Sequence, residues 1–223
     1  MNIALIDEWE RFTRRAKIDL FEVLEAIRVR PTHNNIRYPG LGVGGYCLTK
    51  DPMFGTASAR EIFGFKDLEF PVSQASLEIN DKMPVASVDA IERMLRGGLK
   101  NRRVLVLGAS YRQDIGDTRA SPSVTLGAAL LDRGAKVEFT DPLVDRLDAV
   151  GAPCFRELPP ARQYDVVIFA VAHREFRRLD VLNWLAGARP LVFDANGVLT
   201  RTTITKLQAA GVPVGAIGRG DIA

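Results

Sequence analysis

The chain has 223 residues, of which 47% are hydrophobic and 26% charged, and 30 Lys and Arg stand against 27 Asp and Glu. This apolar content suffices for one large or two modest domains and excludes a disordered protein. A net charge of +3 is too small for a nucleic-acid-binding surface, and no apolar run reaches the roughly 20 residues that cross a membrane. Two cysteines exclude a disulfide framework, two histidines leave little for a metal site, and the acidic N-terminus is unlike a signal peptide, so we expect a cytoplasmic protein.

Apolar residues at steps of three and four predict helices through most of residues 1–97. The predicted helices cover 3–12, 20–27, 52–63 and 71–95, and a loop rich in Pro, Asn and Gly covers 30–46. The last helix is the longest, with a kink predicted at Pro84. A helix of this length is typical of a spine between domains or subunits. The alternative is an ordinary core helix that breaks at the proline.

A change of pattern at the Gly-Gly-Leu-Lys-Asn segment 97–101 predicts two domains, 1–97 and 98–223. In the second domain short apolar strands alternate with helices, which favours a doubly wound parallel sheet. The predicted strands are 103–107, 136–140, 166–171, 191–194 and 212–217, and the predicted helices are 122–133, 181–186 and 202–210. Ligands of such sheets bind beyond the carboxyl ends of the strands. Four segments are therefore expected to face one crevice: 108–118, 141–142, 172–174 and 195–199.

The chain contains a literal match to the dinucleotide fingerprint G-x-G-x-x-G, at Gly40, Gly42 and Gly45. A polar segment rich in Pro and Asn precedes these glycines, where the fingerprint requires a buried strand, so we reject a dinucleotide site here. The later segment 108–114 follows a predicted strand but lacks the second and third glycines. A helix N-terminus there would hold a phosphate with help from Arg112 and Arg119, or the two arginines are simply solvated.

The segment 44–52, Gly-Gly-Tyr-Cys-Leu-Thr-Lys-Asp-Pro, places a thiol after flexible glycines and before a predicted helix. The positive end of that helix and Lys50 both favour the nucleophilic thiolate of Cys47. One helical turn would bring the Asp51 carboxylate near the sulfur, where it would position or deprotonate a water molecule. The alternative is an unreactive Cys47 with Asp51 as a cap, which these residues alone slightly favour.

The remaining candidate residues have less specific patterns. Cys154 follows a proline in an expected strand and is interpreted as a packing residue. His33 is interpreted as a solvated loop residue, with contact to a ligand or a neighbouring subunit as the alternative. His173 stands at a predicted strand end and is expected to line the crevice. The basic cluster after it is expected to be solvated: Arg174, Arg177 and Arg178.

Four segments, 2–8, 39–52, 80–84 and 108–121, resemble in this order a known family, with Asp141-Pro142 in support. They are similar to the UDP-glucose/GDP-mannose dehydrogenases, the nucleotide-sugar 6-dehydrogenases, and the segment around Cys47 resembles the family's catalytic-cysteine signature. The resemblance covers essentially the whole chain. It implies an all-helical central, dimerising domain over 1–97, followed by a Rossmann-like UDP-sugar-binding domain of the doubly wound α/β class over 98–223.

This resemblance implies a four-electron oxidation of the C6 alcohol of a UDP-sugar to a carboxylate with two NAD, for the synthesis of polysaccharide precursors. Cys47 would capture the aldehyde as a thiohemiacetal that becomes a thioester, and Asp51 would help water to release the uronic acid. Arg119 would reach the phosphates of the NAD cofactor, and Arg112 stands where the family has a substrate-binding lysine. The residues implied to contact substrate are Tyr38, Gly44, Gly45, Lys50 and Arg112.

The sequence also departs from the family pattern. No segment matches the family's NAD-binding Rossmann domain or its catalytic lysine and asparagine, and the segment 194–197 replaces a UDP-binding arginine. We therefore expect this chain alone to be inactive, as the central and UDP-binding part of a dehydrogenase separated from its NAD domain. The alternatives are a non-catalytic UDP-sugar-binding, dimerising module and one half of a split enzyme with a separate NAD-binding chain. A homodimer through residues 71–97 is expected in all three cases.

Overall fold

The computed structural model describes residues 1–222 and confirms the α/β class. Four helices precede the first strand: α1 (Asn2–Ala16), α2 (Leu20–Arg28), α3 (Phe54–Glu61) and α4 (Pro71–Met94). Helix α2 begins where the Asp19 carboxylate accepts a hydrogen bond from the Phe21 N–H, which satisfies a free donor of the first turn. Among the described residues, no helix combines the length and the apolar character that a membrane span requires.

Helix α4 has two halves with different environments. It continues through Pro84, and Val88 and Ile91 in its second half are fully buried in the core of the sheet. Val72 in its first half remains 60% exposed. The predicted apolar stripe of this helix is therefore buried in the core over the second half of the helix and exposed to solvent at Val72 in the first half.

The second half of the chain forms one six-stranded parallel sheet in the order β3-β2-β1-β4-β5-β6. The strands are β1 (Arg103–Leu107), β2 (Lys136–Thr140), β3 (Cys154–Phe155), β4 (Val166–Phe169), β5 (Leu191–Asp194) and β6 (Val214–Ala216). The helices are α5 (Pro122–Asp132), α6 (Arg174–Arg178), α7 (Val181–Leu185) and α8 (Arg201–Ala209). The strand order reverses between β1 and β4, so the predicted doubly wound sheet is confirmed.

Several elements differ from the sequence prediction: strand β6 is shorter than the predicted 212–217, β4 is also shorter, and helix α6 is additional. Strand β4 ends earlier than predicted because the N–H groups of Ala170 and Val171 both donate to the Leu107 carbonyl, which interrupts the regular ladder. Helix α6 was not predicted, since it is a single short turn with Phe176 as its one buried side chain. Five residues around one apolar side chain give no periodicity from which a helix could be read.

Each face of the sheet has its own apolar core. Alternate residues of β1 point to opposite faces, so Val104 and Val106 join the cluster that contains α4 and α5 side chains. Leu105 and Leu107 join the other cluster, with side chains of α7 and α8. Leu41 from the glycine-rich loop belongs to the first cluster. This loop is thereby anchored in the core of the sheet.

The C-terminal segment returns to the first two helices. The Leu20 N–H donates to the Gly218 carbonyl at 2.8 Å. Asp19 is only 6% exposed, and it accepts hydrogen bonds from Arg219 and, at 3.3 Å, from Arg201. Helices α1 and α2 are therefore fixed to the side of the sheet that ends in β6.

Arg219→Ala is expected to lower the free energy of unfolding by about 3 kcal/mol, because it removes the closest partner of a buried carboxylate. It also removes the guanidinium that lies 4.4 Å from the centre of the Phe21 ring. Urea unfolding followed by circular dichroism measures the loss. Arg146→Ala is the control, since its pair with Asp148 is exposed on both sides, and it should change stability by less than about 0.5 kcal/mol. Equal losses in both variants would contradict this account.

Candidate functional site

The loops that follow β1, β2, β4 and β5 meet at the carboxyl edge of the sheet. Asp141 after β2 accepts hydrogen bonds from the N–H groups of Ala109 and Ser110 after β1, at 2.8 and 3.0 Å. Asn196 after β5 donates to the Ala170 carbonyl after β4 at 3.0 Å. The first contacts join two of the segments predicted to share this edge, 108–118 and 141–142, and the last joins the segment 195–199 to the end of the strand predicted over 166–171.

Two expectations about this edge are wrong. No helix begins within residues 108–114, because α5 starts only at Pro122, so this segment presents no helix N-terminus to a phosphate. His173 is fully buried and does not line a crevice, because its ring nitrogens bond to Asp141 and to the Asp114 N–H. The arginines that follow His173 are exposed, as predicted.

The glycine-rich loop 39–47 is held between helix α4 and the sheet. The Asn80 side chain of α4 accepts a hydrogen bond from the Val43 N–H at 2.7 Å and donates to the Val43 carbonyl at 2.9 Å. A Cβ at Gly40 would collide with Asn196. The glycines thus serve close packing between protein segments. Within residues 1–222 no strand runs through a glycine-rich turn directly into a helix, so the described residues do not fit a dinucleotide cradle for NAD.

Gly44 and Gly45 are buried beneath the loop that carries the candidate arginines. A Cβ at Gly44 would lie 2.7 Å from both the Ala120 carbonyl oxygen and Tyr111 Cβ, and 2.8 Å from Pro122 Cδ. Gly45 has a φ of +89°, and a Cβ there would lie 2.9 Å from the Tyr111 ring. Only glycine permits this approach at Gly44, because the facing atoms are main chain or close to it. Contact of these glycines with a sugar stays a prediction.

Cys47 follows this packed loop and is exposed. The Asp51 N–H donates to the Cys47 carbonyl at 2.9 Å, so a turn of main chain joins the two residues, and the approach of the Asp51 carboxylate to the sulfur stays a prediction. The Asp51 carboxylate, however, is bound by the Lys50 ammonium at 2.6 Å. Helix α3 begins only at Phe54, after a 3₁₀ turn at Asp51–Met53.

Lys50 is surrounded by groups that favour its charged form. Its hydrogen bond to Asp51 raises its pKa, and nearby Tyr46 and Cys47 contribute in the same direction. Its ammonium also lies 4.7 and 4.6 Å from the ring centres of Tyr46 and Phe54. Lys50 is therefore a fixed cation beside the Cys47 thiol and is poorly suited to act as a base.

The two candidate arginines stand on the loop 108–121 and differ in their surroundings. Arg119 forms a bidentate pair with Asp117, which raises the pKa of the guanidinium, with further contributions from Tyr111 and Cys47. Arg112 is exposed and forms no ion pair within residues 1–222. Arg112 therefore carries the uncompensated positive charge of this loop.

Tyr38 packs against helix α2. Its ring stacks on Phe21 with the ring centres 5.5 Å apart, and the Arg28 guanidinium lies 4.8 Å from its centre. Its hydroxyl donates to Glu25, and this hydrogen bond raises the pKa of Tyr38. These contacts account for Tyr38 as part of the fold, and its contact with substrate stays a prediction.

The residues that sequence reasoning missed are those that join the two loops. Tyr111 covers the glycines, Asn80 clamps their loop, and Asp117 neutralises Arg119. All three residues lie in segments that resembled the family, 80–84 and 108–121, and this resemblance was the available signal. The described residues contain no cluster of three or more potential metal ligands. Cys154 packs as expected, and burial raises the pKa of its thiol to about 11.

Gly44→Ala is expected to lower the free energy of unfolding by about 2 kcal/mol, because the new methyl group has no space against main-chain atoms. Urea unfolding measures the effect. Gly55→Ala is the matched control: its Cβ would meet a ring carbon of Phe70 at 3.1 Å, and the better helix propensity of alanine offsets that contact. A Gly44→Ala protein as stable as the control would refute the packing between the two loops.

Two family models match the chain. Residues 1–82 match the central domain of the UDP-glucose/GDP-mannose dehydrogenase family, and residues 105–201 match the UDP binding domain of the same family. The chain is 27% identical to the UDP-N-acetyl-D-mannosamine dehydrogenase of Pyrococcus horikoshii, a match that covers 100% of the chain and 49% of that protein. It is 30% identical to the UDP-N-acetyl-D-glucosamine 6-dehydrogenase of Pseudomonas aeruginosa, over 89% of the chain and 47% of the relative.

A solved structure shows the same architecture. The NDP-N-acetyl-D-galactosaminuronic acid dehydrogenase of Methanosarcina mazei Go1 superimposes with a TM-score of 0.84 at 25% identity, covering 99% of this chain and 48% of that one. The chain thus spans about half the length of the relatives it matches. The two models describe two domains of one family, and they match residues 1–82 and 105–201 of this chain. The chain belongs to the UDP-glucose/GDP-mannose dehydrogenase family.

Proposed function

We propose that this chain binds the UDP portion of a nucleotide sugar and presents Cys47 to C6 of the sugar, as part of an NAD-dependent nucleotide-sugar 6-dehydrogenase. The observation that carries the proposal is the close packing of Gly44 and Gly45 against Tyr111. It places the loop that ends in the exposed thiol beside the loop that carries Arg112 and Arg119. This packing supports a shared site in which Cys47 would be the nucleophile and the loop 108–121 would bind the anion.

The nucleotide would be held mainly by Arg112. The diphosphate of UDP is a strong anion, and a guanidinium without an internal carboxylate partner is free to bind its oxygens. Arg119 is already paired with Asp117, so its binding to a phosphate would have to compete with that carboxylate. The names of the relatives favour a UDP-N-acetylhexosamine as the sugar nucleotide.

The chemistry assigned to this chain is nucleophilic addition. The Cys47 sulfur would add to the C6 aldehyde of the sugar, and the new C–S bond would leave a thiohemiacetal whose oxygen takes up the proton. The Lys50 cation beside the thiol would stabilise negative charge on that oxygen as the bond forms. NAD is the hydride acceptor that the family resemblance implies. The described residues do not fit it, so the proposal assigns to them the sugar nucleotide and the nucleophile.

Titration calorimetry with UDP tests the proposal directly. Wild-type protein is expected to bind UDP, and Arg112→Ala should weaken binding by about 10-fold or more through loss of a charge-assisted hydrogen bond. Arg112→Lys should lose less, because it keeps the charge. Arg146→Ala is the matched control, since this exposed arginine already pairs with Asp148.

A second readout links the nucleotide to the thiol. UDP-N-acetylhexosamine at saturating concentration should slow the alkylation of Cys47 by iodoacetamide, followed by peptide mass spectrometry. Cys154 serves as the internal reference, because burial keeps it in the unreactive thiol form near neutral pH. Absence of UDP binding, or a Cys47 alkylation rate that is the same with and without nucleotide, would refute the proposed site.

We also propose that the chain forms a homodimer through the open first half of α4 together with α1. Leu5 and Phe12 of α1 and Val72 of α4 remain 47%, 68% and 60% exposed. Apolar side chains of both helices, including Leu5, Val72 and Ile79, line one groove. Apolar surfaces of this kind mark interaction sites in soluble proteins. The apolar face of the second half of α4, with Val88 and Ile91, is buried inside the chain, so we narrow the proposed interface from 71–97 to the first half of the helix.

Light scattering after gel filtration should give about twice the chain mass of 24.5 kDa. Val72→Glu places a charge in the proposed interface and should raise the dimer dissociation constant by at least about 10-fold. Val29→Glu is the control, because Val29 is even more exposed, at 81%, but lies at the end of α2 outside this groove. A wild-type monomer, or equal effects of the two changes, would overturn the interface.

A further inference from the structure

Three polar side chains are fully buried below the loop that carries Arg112: Ser110, Asp141 and His173. One oxygen of Asp141, Oδ2, accepts hydrogen bonds from the Ser110 N–H at 3.0 Å and from the Ser110 hydroxyl at 2.9 Å. The same oxygen lies 3.0 Å from Nε2 of His173. These groups have no contact with solvent, so each hydrogen bond is made within the protein.

The protonation of His173 follows from its two neighbours. The Asp114 N–H is 2.9 Å from Nδ1, and since a main-chain N–H only donates, Nδ1 must be the acceptor. The imidazole proton is therefore on Nε2 and is donated to Asp141. Burial acts to raise the pKa of Asp141, but the hydrogen bonds from His173, Leu143 and Ala109 outweigh it and lower the pKa to about 2. Asp141 is thus an ionised acceptor, which requires the same tautomer of His173.

The hydrogen bonds between Asp141 and His173 and between His173 and Asp114 form a bridge. Its second end, Asp114, is a strained residue of the loop 108–121. Asp114 has a φ of +58°, a left-handed conformation that is uncommon for residues other than glycine. Its N–H is bound by His173, and its carboxylate accepts a hydrogen bond from the Arg174 N–H at 3.0 Å. The Tyr111 N–H donates to the Asp117 carbonyl at 2.8 Å and closes the loop.

Arg112 lies between the two fixed points of this loop. On one side Tyr111 packs on Gly44 and Gly45, and on the other side Asp114 is held by His173. The main chain at Arg112 therefore has little freedom, although its side chain is exposed. A guanidinium on a fixed main chain loses less entropy when it binds a phosphate.

We propose that His173 is a positioning residue that acts through the Asp114 N–H. In its neutral form, with the proton on Nε2, it connects Asp141 at the end of β2 to the loop and holds Arg112 toward the nucleotide diphosphate. The diphosphate part of this inference rests on the proposed function. The groups that face the ring are the carboxylates of Asp141 and Asp114, the latter paired with Arg174, and the edge-on ring of Phe176.

Two substitutions separate the two ends of the bridge. His173→Asn places an amide oxygen near the position of Nδ1 and keeps an acceptor for the Asp114 N–H, but it loses the donor to Asp141. His173→Gln places an amide near Nε2 and keeps the donor to Asp141, but it loses the acceptor. Both substitutions lower stability, which thermal unfolding measures. A merely structural role would lower UDP affinity equally in both.

His173→Gln is expected to weaken UDP binding by about 10-fold, whereas His173→Asn should stay within about threefold of wild type. Equal weakening by the two variants, or a greater loss in His173→Asn, overturns the proposal. Arg112→Ala combined with His173→Gln should bind no more weakly than Arg112→Ala alone, because the histidine acts through that arginine.

A measurement on protein without nucleotide keeps the inference independent of the UDP site. The chain has two histidines, so in the His33→Gln variant the only imidazole nitrogen resonances are those of His173. Nitrogen-15 NMR at neutral pH should show an unprotonated Nδ1 and a protonated Nε2, and the Asp114 amide should exchange slowly with solvent in wild type and at least about 10-fold faster in His173→Gln. A protonated Nδ1 or an Asp114 amide that exchanges equally in both overturns the bridge. Absence of UDP binding in a protein that passes these tests refutes the proposed function alone.

Discussion

The site depends on the absence of a side chain at Gly44. The loop that leads to Cys47 can rest on the main chain of Ala120 and on Tyr111 only because no Cβ occupies the space between them. Any larger residue at this position would separate the two loops and move the thiol away from the arginines. Gly44 is not one of the three glycines that match the dinucleotide fingerprint, but it lies in the same glycine-rich loop, and packing between protein segments requires it there.

Helix α4 converts this local contact into a fixed geometry. Its first half holds the Cys47 loop through the paired hydrogen bonds between Asn80 and Val43, and its second half is embedded in the core of the sheet. Arg133 at the end of α5 adds ion pairs to Asp89 and Glu92 of the same helix. One helix therefore connects the loop of the nucleophile to the sheet whose edge carries the arginine loop.

The sequence predicted what depends on neighbouring residues. Strands such as Arg103–Leu107 and Leu191–Asp194 were placed correctly because each contains a short run of apolar residues that is buried on both faces. The surroundings of His173 were not predictable, since its partners Asp141 and Asp114 lie 32 and 59 residues away along the chain and meet it only after β1, β2 and β4 have paired. The same holds for Tyr111 over Gly44. Local patterns identified the loops, and the topology of the sheet determined which side chains meet.

The charges at the site divide into compensated and uncompensated groups, and this division gives each cation a different task in the proposed function. Lys50 is paired with Asp51, and its ammonium lies 4.7 and 4.6 Å from the ring centres of Tyr46 and Phe54, so it stays charged three residues after Cys47. Such a group stabilises a developing oxyanion by its field and does not need to move a proton. Arg112 forms no ion pair within residues 1–222 and is therefore available for a ligand anion in the proposed function. The proposed function assigns nucleotide binding and stabilisation of the reacting atoms to different cations, and it therefore predicts that nucleotide affinity and reactivity of the thiol can be altered separately by mutation.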